Sequence, residues 1–354
     1  MTYRPLLSFV IVARNAGLYL PNAFADFLAQ DFPCDQIEFL FVDGQSDDDS
    51  LQKAEEFKSA HPSIDFTILR NPNRILASGW NVALRRVKGD IILRIDAHAR
   101  IPTQFIRNNV KTILAGHDIV GGSVISQLPQ NTFPRLIALA ERSKFGGGAA
   151  DFRNRGEARH VDTLAYAAYK REVFGIVGGY HELLVRTEDN EIHARMKAAD
   201  YKFWLTPDIH SERTARASLF GLLKQMFGNG YWIALTLPVA PSAFGVRHFV
   251  PFIFLMTSLI GISLLSVTPI PLLCLTAAYL LVAILFTIRS LSKQTIIIKL
   301  LSPLLPLIFF LMHIAYGFGT FCGIVHLPVA LPALLKYKPP YPISPTERVK
   351  QSGR

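Results

Sequence analysis

The segment Leu93-Arg94-Ile95-Asp96-Ala97-His98-Ala99-Arg100 carries a carboxylate and an imidazole two positions apart at the end of an apolar run. In an extended chain, residues i and i+2 point the same way, so Asp96 and His98 can approach one cation together. A divalent ion held there bridges two phosphates and neutralises the charge that grows when a diphosphate departs. The imidazole favours manganese, with magnesium as the other choice. A salt link or a helix cap uses the same spacing, and it is the position at a strand end that favours the metal. Asp43 ends another apolar run and is suited to hydrogen-bond a base or ribose, whereas Asp47, Asp48 and Asp49 read as water-facing caps of the next helix. Arg74 and Asn81 flank a helix start near Ser78-Gly79, where a diphosphate would meet a helix N-terminus and a guanidinium together; an exposed arginine is the plainer alternative. Arg186-Thr187-Glu188-Asp189-Asn190-Glu191 sets a carboxylate pair, Glu188 and Asp189, at a further helix start. Acids there often serve only the helix dipole. Transfer to a hydroxyl, however, needs a general base, and Asp189 is the candidate.

Such positions need a scaffold that delivers them to one place. Leu6 to Val12 reads as a buried parallel strand opening into the loop Ala13-Arg14-Asn15-Ala16-Gly17. A helix over Leu18–Gln30, a strand over Ile37–Val42, a polar helix over Ser50–Ala60, a strand over Asp65–Leu69, a helix over Ser78–Val87 and a strand over Ile91–Ile95 follow. This alternation predicts an α/β architecture: a Rossmann-like, mostly parallel, doubly wound sheet with helices on both faces and ligands at the carboxyl ends of the strands. Ala13, Arg14 and Asn15, then Asp43, then Asp96 lie at three of those ends. Gly146-Gly147-Gly148 and Asp151–His160 read as a mobile loop suited to a lid. A strand-like Thr163–Tyr169, a turn at Gly178-Gly179-Tyr180, a helix over Asp189–Ala199 and Phe203-Trp204-Leu205 complete this part.

The chain has 354 residues, a formal charge of +10 and 50% hydrophobic residues. Its basic residues are dispersed, which points to anionic lipid head groups or phosphorylated substrates and away from nucleic acid. The cysteines, Cys34, Cys274 and Cys322, are too far apart for a metal knuckle or a disulfide framework, so a reducing compartment is expected. The early apolar run is too brief for a signal peptide, which puts the soluble part in the cytoplasm. Leu219–Leu237, with Lys224, Tyr231 and Trp232, reads either as a helix in the membrane interface or as an amphipathic helix on the core. Phe249–Thr268 and Pro271–Ile288 have spanning length, and a third span is expected within Leu300–Val325. Arg289, Lys293 and Lys299 place the hairpin flanks in the cytoplasm. Three spans would then put Lys336, Lys338, Arg348, Lys350 and Arg354 outside, unless the stretch broken by Pro303, Pro306, Gly317 and Gly319 is partly re-entrant. The expected division is therefore a catalytic domain over 1–215, an interfacial segment over 216–248, a transmembrane region of about three spans over 249–335 and a basic tail over 336–354.

The motifs together resemble glycosyltransferase family 2, whose single nucleotide-sugar-binding domain is called GT-A. Ser8-Phe9-Val10-Ile11-Val12-Ala13-Arg14-Asn15 is similar to its opening strand, Phe41-Val42-Asp43-Gly44-Gln45-Ser46-Asp47-Asp48 to its nucleoside-binding strand end, and Ile95-Asp96-Ala97-His98 to its metal motif. Thr187-Glu188-Asp189, between Val177-Gly178-Gly179-Tyr180-His181-Glu182 and Glu191-Ile192-His193-Ala194-Arg195-Met196, is similar to its base segment. The resemblance implies an inverting, metal-dependent transfer from a nucleotide sugar, of UDP type, with Asp189 as base, Asp96 and His98 at the metal diphosphate and Asp43 at the nucleoside. His98 departs from the usual Asp. His210, with Arg213, can reach the diphosphate and is a further metal candidate. The Asp-Ala-His form, Lys224-Gln225, Asn229-Gly230-Tyr231-Trp232 and the C-terminal spans look most like the ExoA-like succinoglycan-type enzymes, which implies a lipid-linked saccharide acceptor met by Gln225, Tyr231 and Trp232 at the cytoplasmic membrane. Processive synthases carry Gln-x-x-Arg-Trp; here Met226, Phe227 and Gly228 follow Gln225, so single-sugar transfer is expected. A polyprenyl-phosphate sugar synthase and a non-catalytic scaffold are the competing readings, and an oligomer is allowed.

Overall fold

The computed structural model describes residues 5–148, 150–153, 156–214, 218–292, 294–341 and 343. Lys293 and the tail residues Arg348, Lys350 and Arg354 lie outside the described residues, as do parts of the proposed loop and interfacial segment. The chain divides into two compact units: residues 1–125, 154–213 and 337–354 form one, and 126–153 with 214–336 form the other.

The first unit begins with β1 (Leu7–Ala13), α1 (Leu20–Leu28), β2 (Ile37–Asp43), α2 (Ser50–Ala60), β3 (Asp65–Arg70), α3 (Leu76–Leu84) and β4 (Ile91–Ile95). β1 and β2 are buried along almost their whole length, as continuous apolar runs require when both faces of a sheet are covered. The strands β3, β2, β1 and β4 lie side by side, all parallel, with Ala13 opposite Asp43 and Ile11 opposite Ile95. That register brings the polar ends of β1, β2 and β4 to one edge. On one face, Phe24, Phe39, Phe57 and Phe66 form an aromatic cluster, with Phe24 stacked on Phe57 at 4.3 Å and Phe39 edge-on to Phe66 at 4.7 Å. Burying each such side chain stabilises the fold by roughly 1.5–3 kcal/mol. On α3, a Cβ on Gly79 would stand 2.3 Å from Val12, so only glycine allows the helix to lie this close to β1.

Next come β5 (Ala99–Arg100), α4 (Phe105–Leu114), β6 (Ile119–Gln127), α5 (Thr132–Arg142), β7 (Arg159–Val161), β8 (Ala168–Lys170), α6 (Arg171–Val177), α7 (Glu188–Ala198) and β9 (Phe203–Thr214). Among the described residues the sheet runs β3-β2-β1-β4-β8-β6-β9-β5, with β7 paired to β9. β4 and β6 both pair antiparallel with β8, so the parallel doubly wound half gives way to an antiparallel half. The strand expected over Thr163–Tyr169 is confined to Ala168–Lys170, because Tyr166 adopts a left-handed backbone (φ 52°) that breaks the extended run. The helix expected from Ser78 starts earlier, at Leu76. The unit also holds the start of the tail: Gly179 N donates to Pro340 O at 2.6 Å, and the rings of His181 and Tyr337 lie 4.5 Å apart.

The second unit contains α5 together with α8 (Leu219–Thr236), α9 (Val250–Ser263), α10 (Ile270–Leu291), α11 (Ile296–Leu300) and α12 (Leu304–Lys336). α8 and α12 approach backbone to backbone. A Cβ on Gly230 or Gly319 would fall 2.0 Å from the carbonyl oxygen of Tyr316 or Phe227, the close helix contact that small residues permit. The glycine triplet after α5 is a folded turn and not a loose lid: the amides of Gly146, Gly147 and Gly148 all donate to Ser143 O, at 2.9, 3.0 and 2.8 Å. Two helices have spanning length and hydropathy, α10 with 22 residues and α12 with 33. The first of the three expected spans is represented by α9, whose 14 residues rise about 21 Å against a hydrocarbon thickness of about 30 Å. α12 runs unbroken through Gly317 and Gly319, with Pro328 and Pro332 inside it.

Candidate active site

The crevice at the carboxyl ends of β1, β2 and β3 is marked by backbone strain. Asn15, Gln45 and Arg74, in the loops that follow β1, β2 and β3, have φ of 53°, 55° and 63°. Non-glycine residues in this region cost energy and cluster where a chain must be aimed for function. Side chains lace the loops together. Arg14 NH2 meets Asp47 Oδ2 at 2.8 Å, Asp47 N donates to Asn15 Oδ1 at 2.8 Å, and Asn15 N donates to Ser46 Oγ at 2.9 Å. Arg74 Nε donates to Gln45 Oε1 at 2.7 Å from an exposed position beside the N-terminus of α3. Asp43 is buried at the floor, and its carboxylate accepts from Ser46 N at 3.2 Å. Of the three acids read as solvated caps, Asp48 is exposed and accepts from Ser50 N, at the start of α2, at 3.0 Å and from Gly17 N at 3.0 Å.

Asn81 does not reach this crevice. It is fully buried within α3, donates to Tyr180 O at 2.9 Å and Glu182 Oε1 at 2.8 Å, and accepts from Tyr180 N at 2.7 Å. Its amide fastens the Gly179-Tyr180 turn to α3, so it positions a loop and has no hydrogen bond left for a diphosphate.

Asp96 follows β4 and His98 comes two residues later, but the segment is a turn: Ala99 N donates to Asp96 O at 2.9 Å. The extended-chain geometry expected for the pair therefore does not hold, and Asp96 is half-buried while His98 is exposed. His210 is not brought to them. β5 pairs antiparallel with β9, Ala99 opposite Arg213 and Arg100 opposite Glu212, so stepping back from Arg213 to His210 leads away from the turn. Among the described residues no three His, Cys, Asp or Glu side chains gather as a metal cluster. A carboxylate and an imidazole on an open turn suit a cation whose remaining ligands are phosphate oxygens.

The carboxylate pair sits where α7 begins, after Thr187 in a left-handed conformation (φ 65°). Glu188 is buried and Asp189 half-buried. Facing Glu188 is Arg94, a residue to which the sequence reading gave no role. Its guanidinium, in the middle of β4, lies 3.6 Å from Glu188 Oε1 and 3.4 Å from Tyr180 OH, and 5.3 Å from the centre of the Trp80 ring. Burial pushes the Glu188 carboxyl up to about 8; the Asp189 charge adds to the rise, and Arg94 opposes it. At neutral pH Glu188 thus holds its proton. The charges of Asp96, Glu188 and Asp189 all act on Arg94, so the turn after β4 and the start of α7 form one electrostatic cluster. One turn further along, His193 is held by Thr163 Oγ1 at 2.8 Å and the Tyr169 hydroxyl at 3.1 Å. Burial first, with smaller effects of neighbouring charges, lowers its pKa to about 4 and keeps it neutral. Arg195 grips Glu191 through two bonds of 2.7 and 2.8 Å and donates to Gly179 O at 2.7 Å, tying α7 to the glycine turn. The signal that would have found Arg94 is its being the one charge in an otherwise apolar buried strand.

Gln225, Tyr231 and Trp232 belong to the second unit. Tyr231 shares a hydrogen bond with His326 Nδ1 at 2.5 Å and packs edge-on to Trp232.

The family profile described as Glycosyl transferase family 2 matches residues 8–177. The Succinoglycan biosynthesis protein ExoA of Rhizobium meliloti (strain 1021) is 31% identical over 224 residues, which cover 58% of this chain and 67% of that protein. The chain belongs to glycosyl transferase family 2. It is a glycosyltransferase, and its first unit has a GT-A-like fold. A dolichyl N-acetyl-alpha-D-glucosaminyl phosphate 3-beta-D-2,3-diacetamido-2,3-dideoxy-beta-D-glucuronosyltransferase of Methanococcus voltae is 26% identical over 338 residues, 90% of this chain and 97% of that one. The solved structure of the mannosyltransferase PcManGT from Pyrobaculum calidifontis, in complex with GDP-Man and Mn2+, superposes with a TM-score of 0.57 at 18% identity, covering 92% of this chain and 88% of that one. This last likeness bears on the fold alone.

Proposed function

We propose that this family 2 enzyme transfers a sugar, with inversion, from a UDP-type nucleotide sugar to a lipid-linked saccharide at the cytoplasmic face of a membrane. The observation that carries the reading is that Arg94, two residues ahead of Asp96 on β4, faces Glu188 at 3.6 Å where α7 begins, with Asp189 next to it. Asp189 takes the proton from the acceptor hydroxyl as its oxygen attacks the anomeric carbon. The bond to the diphosphate breaks on the opposite face, and the diphosphate leaves with the bonding electrons. Asp96 and His98 would hold a divalent cation, manganese or magnesium, which would supply charge neutralisation to the departing diphosphate. Glu188, protonated, adds no further negative charge beside the departing diphosphate. Asp43 meets the nucleoside, and Arg14, Asn15 and Arg74 line the donor crevice. Gln225, Tyr231 and Trp232 are the acceptor-side candidates.

The name of the Methanococcus voltae relative specifies a dolichyl-linked sugar phosphate, which favours a saccharide acceptor over a bare lipid phosphate. Chain connectivity supports one-sided attachment. The first unit holds residues on both sides of 214–336, which supports a reading in which the apolar stretch crosses the membrane an even number of times. On that reading Lys338 stays on the side of the catalytic unit, in keeping with the positive-inside rule. Thiol labelling of single cysteines introduced near Lys58 and after Lys336 in sealed vesicles should report one side for both; opposite sides would refute this topology.

Membranes containing the protein, incubated with a panel of radiolabelled nucleotide sugars and manganese, should pass label from one donor into extractable lipid. Asp189→Asn should lower that label by about 100-fold or more. Label retained by Asp189→Asn would replace this reading with a polyprenyl-phosphate sugar synthase, whose acceptor needs no strong base. No transfer from any donor would favour the scaffold.

A further inference from the structure

Arg94 occupies a place where a charge is costly. Its strand neighbours Leu93 and Ile95 are fully buried, and the arginine itself is only 9% exposed. An apolar side chain of similar size would fill the position without the desolvation cost of a buried cation. The guanidinium instead meets groups from three separate elements. Trp80 lies under it from α3, the Tyr180 hydroxyl reaches it from the glycine turn, and Glu188 faces it from the first turn of α7. Two residues further along its own strand is Asp96. The turn offered to the diphosphate and the helix offered to the acceptor are thus joined through one rigid, planar fork.

We propose that Arg94 is a positioning residue that sets the start of α7, and with it Asp189, at a fixed separation from the Asp96 turn. It reaches neither substrate. Two consecutive acids begin α7, and the inner one, Glu188, is buried where only a polar partner such as the Arg94 guanidinium, 3.6 Å away, can meet it. With Arg94 in place Glu188 is drawn inward, and the adjacent Asp189 is left at the half-buried edge where an acceptor hydroxyl can arrive. Misplacing a reacting group by about 1 Å costs on the order of 100-fold in rate. The effect of losing Arg94 therefore falls on turnover and spares donor binding, which depends on the crevice at β1, β2 and β3. The proposal rests on the transfer reading above.

The test uses the full-length protein in lipid vesicles and compares wild type with Arg94→Met, Arg94→Lys and the double variant Arg94→Met/Glu188→Gln. Arg94→Met should lower kcat by about 100-fold while the donor KM stays within about threefold. Arg94→Lys, which keeps the charge but not the fork, should recover part of kcat. The double variant also removes the buried acid that faced the guanidinium and should regain part of the thermal stability lost in Arg94→Met without regaining kcat. If Arg94→Met does not fold, the lysine and double variants carry the comparison. Wild-type transfer with kcat preserved in folded Arg94 variants would overturn this proposal alone, as would a double variant in which kcat returns together with Tm. Failure of the wild type to transfer from any nucleotide sugar would overturn the transfer reading and this proposal with it.

Discussion

The donor crevice and the carboxylate cluster, both in the first unit, use charge in opposite ways. At the crevice Arg14 and Asp47 pair at 2.8 Å with side chains 38% and 66% exposed, so water screens them and little energy rides on the contact. At the cluster Arg94 and Glu188 are farther apart, at 3.6 Å, yet their side chains are only 11% and 7% exposed. There the missing water matters more than the distance, because burial changes the protonation of Glu188. The contrast fits a division of labour, with an adaptable rim that closes on a charged ligand and a fixed interior that keeps one acid neutral beside one base.

Asp189→Asn should separate the two regions most sharply. It should lower kcat by about 10²- to 10⁴-fold, the usual contribution of a positioned base, and leave the donor KM nearly unchanged in steady-state assays. An equal rise in KM would merge the base with the donor site and break the comparison.

The first four strands, their parallel order and the polar strand ends were legible because β1, β2 and β4 are short apolar runs that stop at polar residues, and periodicity reports such a pattern directly. The antiparallel half was less so. β8 has three residues, and Tyr166 turns the chain just ahead of it through a left-handed conformation that no apolar pattern encodes. Asp43, Asp96 and the Glu188-Asp189 pair were found at element ends, where sequence is informative. Asn81 was misread as a ligand because its partner, the backbone of Tyr180, is 99 residues away. Arg94 had no reading for the same reason: its neighbours on α3, the glycine turn and α7 are joined only by tertiary structure. In the apolar region, sequence length alone did not give the helix bounds, since α9 ends at Ser263, before Thr268.

A smaller effect concerns the pH dependence of stability. The Glu188 carboxyl titrates near 8 in the folded protein against about 4.5 when unfolded. The folded state therefore holds the proton more tightly. Its stabilising contribution is complete below pH 4.5 and is lost as pH rises through 8, with a slope of at most about 1.4 kcal/mol per pH unit. Glu188→Gln should flatten this part of the stability profile between pH 4.5 and 8, as measured by chemical denaturation at several pH values. An unchanged slope would mean that the acid is ionised when folded and that the interior is no drier than the rim.

The smallest effect belongs to the rim itself. Arg14→Ala removes the ion pair with Asp47, and because both side chains are exposed the stability change should stay below about 1 kcal/mol. The loops keep the bond from Asp47 N to Asn15 Oδ1 and that from Asn15 N to Ser46 Oγ, so their shape should persist. If the guanidinium serves the donor, its loss should nevertheless raise the donor KM several-fold, and raising salt should narrow the gap between variant and wild type, since screening already weakens the contact in the wild type. A loss of stability well above 1 kcal/mol would show that the crevice is held as tightly as the carboxylate cluster. In that case the difference between the two regions would lie in the residues they carry and not in their exposure to water.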